Sequence, residues 1–369
     1  LYDPEGVLES YSLEDFRSPD FMASLTNSKI ESWANAWNEG DLGSKPERIQ
    51  GAGPYRLASW TQGSEMVLVR KKNHWTQNLP SGEDAHLSRP DSIVVRTILD
   101  EQALELEIKR QGIDASNYIS TSLMERLVND SNFVENYHGK FVESFSYSFI
   151  SFNTKAGASG RNPALEEPEV RKALAHLTPV QKIIDVVYQG HGTPMAGPVS
   201  PRKPWYNDQL TPMGFSPEKA KKLLESSGWK DNNGDGILEK NRPEGQPLEL
   251  RFELAYNQGS PVTQTIADLI RQEMIKHGVM VELGPLSGGA LQEAGSQHNF
   301  DLLMTAFGGT AGADDFKQLW HTESWTGNGA NYSGFGNKST DALIDSLRIE
   351  RNLEKRTEMY QRFQALVYE

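Results

Sequence analysis

Cysteine is absent from the 369 residues. That one absence removes disulfides, thiolate nucleophiles, cysteine-ligated zinc and iron–sulfur clusters. It fits a reducing compartment, or a bacterial envelope protein that never used disulfides. Long apolar runs are missing too: no stretch approaches the ~20 apolar residues that cross a bilayer as a helix. Positive charge is scarce. Thirty-seven basic side chains face 50 acidic ones, for a net charge of −13, which argues against wrapping a phosphate backbone or docking on anionic lipid. No nucleic-acid partner is expected.

Catalytic signatures are also lacking. There is no Gly-x-Ser-x-Gly elbow, P-loop, Gly-x-Gly-x-x-Gly or His-Glu-x-x-His. The eight histidines are scattered, with none paired at metal-ligand spacing. Adjacent acids occur at Glu166-Glu167 and Asp314-Asp315, but a chain this acidic contains such pairs by chance. None of these features points to a catalytic site, and no cofactor is expected.

What is present suffices for a core: 37% of the residues are hydrophobic and 9% aromatic. At ~100–200 residues per domain, the length suits about two domains. The chain begins with Leu1 rather than Met, so it reads as a mature or trimmed segment.

Residues 1–50 are polar and weakly patterned. Trp33 and Trp37, at i and i+4, suggest a shared helix face, and Gly40 to Pro46 reads as a linker. From Gly51 the pattern turns to β. Tyr55–Ser59 and Met66–Arg70 alternate around Gln62-Gly63, predicting a hairpin. Ile93–Ile98 predicts a strand, Asp100 a helix cap, Gly112 the helix end, Ile113–Ala115 a short strand and Tyr147–Phe152 another. Val170, Ala173, Leu174 and Leu177 fall at helical spacing, as do Val180, Ile183, Ile184 and Val187. Thr178-Pro179 between them predicts an N-cap and a proline at the first helical position. Ser216-Pro217 opens a further helix that Gly228 ends. Leu248, Leu250, Phe252 and Leu254 alternate as a strand with one buried face. A helix from Pro261 and a strand at Val279–Leu283 complete a βαβ unit, hence a parallel pair. A helix near 288–296 and a strand at Phe300–Met304 form a second. Two helices, Asp341–Ile349 and Leu353–Tyr368, end the chain.

In open parallel sheets, ligands bind beyond the carboxyl ends of strands. Those ends fall at Tyr256–Ser260 and Thr305–Thr310. The first loop feeds a helix N-terminus, which offers free N–H groups. The second is glycine-rich and permits close backbone approach, with Phe307 as an apolar wall. Asp231-x-Asn233-x-Asp235-Gly236 matches the first half of a calcium loop, but position 12, where a bidentate acid belongs, is Arg242. A polar turn is the plainer reading, with opportunistic calcium binding by Asp231, Asn233 and Asp235 the alternative.

Five ordered motifs over residues 51–369 carry a resemblance. They are Gly51-Ala-Gly-Pro-Tyr55 with Trp60 and Leu68-Val-Arg70 to Trp75; Phe152-Asn-Thr-Lys155 with Val170-Arg-Lys-Ala-Leu174; Tyr188-Gln-Gly190 to Pro198; Ala220 to Trp229 with Asp235-Gly-Ile237; and Asn331-Tyr-Ser333 with Asp341-Ala-Leu343. Together they resemble the peptide/nickel-type (family 5) extracellular solute-binding proteins of ABC importers.

The resemblance implies an α/β, two-lobe periplasmic-binding-protein-like fold of type II. Each lobe would be a mixed, mainly parallel sheet flanked by helices. The protein would close on peptides in the cleft between the lobes and deliver them to ABC transporter permease subunits. It would be a monomer, periplasmic or lipid-anchored at the outer face of a bacterial membrane. Residues 1–50 would be a first-lobe remnant and linker, 51–150 a partial first lobe and 151–369 the second lobe, with first-lobe strands and a C-terminal tail outside the segment.

The expected ligand-facing residues are Asn257, Phe307, Gly308, Gly309, Thr310, Asp314, Asp315 and Trp320, with Asn153 and Thr154 beside the hinge. Peptide-binding members of the family commonly hold the ligand's α-amino group with an Asp a few residues beyond the Ala306-Phe307 position. Here the nearest match is Thr310, so Asp314 or Asp315 would substitute. Two alternatives stay open. One is the same fold binding an oligosaccharide or a metal chelate, with Trp205, Tyr206, Phe307, Trp320 and Trp325 as stacking surfaces. The other, more distant, is a hydrolase using an acid pair.

Overall fold

Alternation and capping chemistry set the elements along the chain. The computed structural model describes residues 11–12, 14–24, 28–39, 45–49, 51–78, 89–155, 161–243, 245–327 and 329–369. By its internal contacts the chain divides into two units, Leu1–Asn117 and Tyr118–Glu369. The paired-tryptophan face and most of the expected linker (40–44) lie outside the described side chains and residues.

In the first unit, helices α1 (Pro19–Ser24) and α2 (Ser28–Glu39) precede a three-stranded antiparallel sheet. Its strands β1 (Tyr55–Thr61), β2 (Glu65–Arg70) and β3 (Ser92–Arg96) lie in that order. The expected hairpin forms, with Thr61 opposite Glu65 and Gly63 at φ 73°. Helix α3 (Glu101–Lys109) begins where Asp100 accepts the Ala103 N–H, and Arg96 pairs with Glu107 at 3.1 Å. The strand expected at Ile113–Ala115 does not form; those residues are irregular. Three residues are too few to hold a ladder without a neighbour in register.

The second unit opens with α4 (Thr121–Leu127) and α5 (Ser131–Asn136), capped by Ser120 and Asp130. Its sheet has the order β4-β9-β7-β8, built from β4 (Tyr147–Phe152), β7 (Arg251–Asn257), β8 (Met280–Leu286) and β9 (Leu302–Phe307). β7 runs parallel to β8 and β9, whereas β4 runs antiparallel to β9. All six residues of β4 pair with β9. The 150/151 boundary read from the sequence therefore runs through a strand of this sheet. A small ribbon of β5 (Glu239–Lys240) and β6 (Leu248–Glu249) interrupts the single strand expected from Leu248.

Helices cover both faces. Leu250, Phe252, Leu254 and Tyr256 alternate into one core with α6 (Pro168–Leu177), α7 (Val180–Val187), α8 (Pro217–Ser226) and α9 (Pro261–Ile275). Val170, Ala173, Leu174 and Leu177 of α6 are fully buried there, each large one contributing about 1.5–3 kcal/mol. Ala255, Phe300 and Leu303 point the other way, toward Leu291 of α10 (Gly288–Ser296). The sheet is thus a doubly wound three-layer structure, with α9 and α10 on opposite faces.

The break between α6 and α7 forms with different chemistry from that expected. Pro179 occupies the N-cap position without a side-chain bond. The Thr178 hydroxyl instead donates back to the Leu174 carbonyl at 2.9 Å. Proline fixes its own φ and leaves no N–H to satisfy, which is enough to restart the helix.

The chain closes with α11 (Lys317–Trp320), α12 (Lys338–Ile349) and α13 (Leu353–Tyr368). Phe316, Ile344, Leu347, Tyr360 and Phe363 form a separate helical core with Val199. No helix among the described residues is long and apolar enough to cross a membrane.

Candidate functional site

The carboxyl edge of the second sheet is where its topology leaves an opening. The β7-to-β8 connection passes through α9 on one face and the β8-to-β9 connection through α10 on the other. β7 therefore lies between strands whose crossovers diverge, the position at which open α/β sheets bind ligands. The β7–β9 register comprises Leu254↔Leu302 and Ala255↔Leu303, and both strands run past it, to Asn257 and Phe307.

Alternation decides which side chains reach this edge. On β4, Ile150 and Phe152 pack on the larger core, so Tyr147 and Phe149 face the other way. Phe307 joins them: its ring centroid lies 4.8 Å from Phe149 and, edge-on, 5.9 Å from Tyr147. Burial, reinforced by the nearby Asp314 charge, pushes the Tyr147 phenol well above its ordinary range. It stays a neutral hydroxyl at any physiological pH.

The two glycines after Phe307 differ in role. A Cβ on Gly308 would meet nothing within 4 Å, whereas one on Gly309 would lie 2.1 Å from the Phe145 carbonyl oxygen. The Gly309 N–H also donates to Ser146 Oγ at 3.3 Å. Gly308 therefore leaves space, and Gly309 lets the loop close on the start of β4. Gly309→Ala is expected to cost about 1–3 kcal/mol through forced backbone displacement, and Gly308→Ala under about 0.5 kcal/mol. Urea denaturation of both variants checks this; equal stabilities would refute it.

Asn257 shapes the neighbouring turn. Its Oδ1 accepts the Gly259 N–H at 3.0 Å and its carbonyl accepts the Thr263 hydroxyl at 2.6 Å, ahead of the Ser260 cap of α9. Thr310 Oγ1 accepts the Gly312 N–H at 3.3 Å.

The two aspartates have partners within the unit. Asp314 is paired with Lys203 and accepts the Trp205 indole N–H at 3.0 Å. Asp315 accepts from Arg348 at 3.2 Å and from the Lys317 N–H at 3.0 Å. Trp320 lies edge-on to Phe335 and Phe363 in the helical core, at 5.3 and 6.0 Å. Its indole N–H is buried without a partner.

The structure thus gathers Phe307, Gly308, Gly309 and Thr310 along one edge and places Asn257 at the end of the adjacent strand. Asp314, Asp315 and Trp320 lie where that edge is tied to the C-terminal helices. Asn153 is fully buried, with its amide donating to the His298 and Phe300 carbonyls at 2.8 and 3.1 Å. Thr154 bonds the Ser333 carbonyl through both its N–H and its hydroxyl. Both residues are anchored inside the second unit.

Sequence reading missed Tyr147, Phe149 and Lys203. The aromatic alternation Tyr147-x-Phe149 was the available signal for the first two. Lys203 sits in an irregular Pro-rich loop that gives none.

Asp231, Asn233 and Asp235 fold into a tight loop whose side chains accept its own N–H groups. Among the described residues no three His, Asp or Glu side chains are grouped to hold a metal.

A doubly wound sheet with an open, aromatic-lined carboxyl edge is the architecture of a ligand-binding α/β protein. The chain belongs to the bacterial extracellular solute-binding proteins: the profile described as "Bacterial extracellular solute-binding proteins, family 5 Middle" matches residues 15–330. It is 26% identical over 86% of its length to "Oligopeptide-binding protein AppA" of Bacillus subtilis, covering 54% of that protein. It is 23% identical over 94% of its length to "Heme-binding protein A" of Haemophilus influenzae, covering 59%. Among solved structures, that of the Bacillus subtilis oligopeptide-binding protein AppA with a nonapeptide superposes with a TM-score of 0.70 at 23% identity, over 90% of this chain and 61% of the other. The fold is therefore the type II α/β periplasmic-binding-protein fold expected from the motifs. The chain spans between half and three-fifths of the length of these curated relatives.

Proposed function

We propose that this chain is the solute-capturing component of an ABC importer, taking up peptides and presenting them to membrane permease subunits. The observation that carries the reading is the Phe307–Gly308 edge at the switch point, walled by Tyr147 and Phe149. An exposed glycine backbone beside an aromatic surface suits an extended peptide, which needs main-chain approach and an apolar contact. In this reading the protein works as a monomer at the outer face of a bacterial membrane, and has no catalysis of its own. The internal pairing of Asp314 with Lys203 and of Asp315 with Arg348 supports that last point, because neither acid is placed as a proton donor to a substrate.

The oligosaccharide alternative draws less support. Trp205 stacks on Tyr360 at 5.2 Å and Trp320 packs into the helical core, so neither offers a face for sugar stacking.

The test is titration of the protein with a peptide mixture, followed by calorimetry of the peptides retained. Phe307→Ala is expected to weaken binding about tenfold or more, since an apolar contact of this size contributes about 1.5–3 kcal/mol. No retained peptide, or affinity unchanged in Phe307→Ala, would sink the proposal.

A further inference from the structure

The polar groups around the Phe307 edge bear on which part of a peptide it accepts. Three acids stand on the segments that border it: Glu143 ahead of β4, and Asp314 and Asp315 beyond β9. Each already faces a base. Glu143 pairs with Arg202 at 3.2 Å, Asp314 with Lys203, and Asp315 with Arg348 at 3.2 Å. Asp314 is the most enclosed of the three, its side chain 21% exposed against 79% for Glu143 and 58% for Asp315. Both its oxygens are in use, one by Lys203 and the other by the Trp205 indole N–H. Turning Asp314 toward a ligand ammonium would strand the enclosed Lys203, and an unpaired buried charge is costly.

A second observation lies at Tyr147, which stands opposite Phe307 in the β4–β9 ladder. Its ring is half-buried beside Phe149 and Phe307. The Asp314 charge reaches the phenol, yet no hydrogen bond ties the hydroxyl to any described residue. The group stays protonated, so it is an uncharged donor and acceptor without a partner inside the unit.

We propose that this edge takes an uncharged stretch of the peptide, either internal main chain or a blocked amino end, with the Tyr147 hydroxyl bonding an amide group beside the Phe307 contact. The inference rests on the peptide reading above and narrows it: capture does not depend on a free α-ammonium. A phenol can donate to an amide carbonyl or accept from an amide N–H. An ammonium needs a carboxylate, and the carboxylates bordering the edge are committed to Arg202, Lys203 and Arg348. Phe307 and Phe149 supply apolar area, and Tyr147 adds the polar contact that fixes where an amide sits.

The test is calorimetric titration of the full chain with one peptide that it retains, prepared with a free and with an acetylated amino end. The two dissociation constants should agree within about threefold. That of the free form should stay flat between about pH 6.5 and pH 9, across the ordinary α-amino range of ~7.7–8.0. Tyr147→Phe keeps the ring and removes only the hydroxyl. It should weaken both peptides about 3- to 10-fold, the worth of one hydrogen bond. Its Tm should stay within about 1 °C of wild type, because the hydroxyl holds nothing in the free protein. A larger loss on acetylation, or a Tyr147→Phe variant that binds as wild type does, overturns the inference and leaves peptide capture in place. A wild-type protein that binds neither form overturns the peptide reading itself.

Discussion

Replacing Lys203 with methionine should destabilise the second unit by about 3–5 kcal/mol, the range for removing one partner of a buried ion pair. The Lys203 side chain is 2% exposed and that of Asp314 21%, so little water reaches either to take over. Lys203 also donates to the Gly312 carbonyl at 3.2 Å, and Tyr360 donates to the Asp314 carbonyl at 2.6 Å. One lysine therefore holds the loop after β9 from two sides, and Tyr360 of α13 holds it from a third. Without the ammonium, Asp314 keeps only the Trp205 indole N–H, and a carboxylate remains partly buried with half its partners. For a unit of this size the Tm should fall by about 6–15 °C. The double variant Lys203→Met/Asp314→Asn should recover a large part of the loss, because the stranded charge goes while an acceptor for Trp205 stays. Urea denaturation of the three variants decides the matter. A double variant no better than Lys203→Met would show that packing, rather than the charge pair, holds the loop.

The same pairing explains which parts of the site could be read in advance. Period-2 runs marked β1, β2 and β7, and helical spacing marked α6 through α9, because alternation or spacing records which face packs; β9, with Leu302, Leu303 and Met304 buried on both faces, was placed only as the second strand of a βαβ unit. The helix starts at Asp100 and Ser216 were legible for a local reason: an oxygen side chain placed beside the first free N–H groups. The glycines and Phe307 were legible from position alone, at the end of a parallel strand. The partners of Asp314 and Asp315 were not. Lys203 and Asp314 lie 111 residues apart, and no local pattern encodes a pairing at that separation. Trp320 was read as a ligand surface for a similar reason. An aromatic after a glycine-rich loop has the same local signature whether it faces solvent or, as here, Phe335 and Phe363. The Ile113–Ala115 strand failed because alternation over three residues carries no information about a neighbour.

Asp301 closes the other end of β9, and its removal should cost about 2–4 kcal/mol. Its carboxylate accepts the Asn162 N–H at 2.5 Å and the Glu253 N–H at 3.0 Å, just before the β7–β9 register begins at Leu254↔Leu302. The side chain thus stands in for a ladder partner that Glu253 lacks. Each buried N–H left unpaired costs about 1–3 kcal/mol; because both sites are only partly shielded, the lower half of the summed range applies to Asp301→Ala. Burial pushes the Asp301 carboxyl above its ordinary range, against the two N–H groups and the Arg161 charge that pull it down. The folded chain therefore holds this proton more tightly than the unfolded one. The ionisation part of its stabilisation is fully present below the unfolded value and is lost as pH rises through the folded one. Paired carboxylates such as Glu273, held low by Lys182 and Lys276, act in the opposite sense and mask this in the wild type alone. The quantity to measure is the stability difference between wild type and Asp301→Ala by urea denaturation at pH 7, 5 and 4. It should widen on acidification. Asp301→Asn, which cannot titrate, should show a pH-independent offset from Asp301→Ala. A wild-type difference that narrows toward pH 4 would mean that the two N–H bonds and Arg161 outweigh burial at this carboxylate.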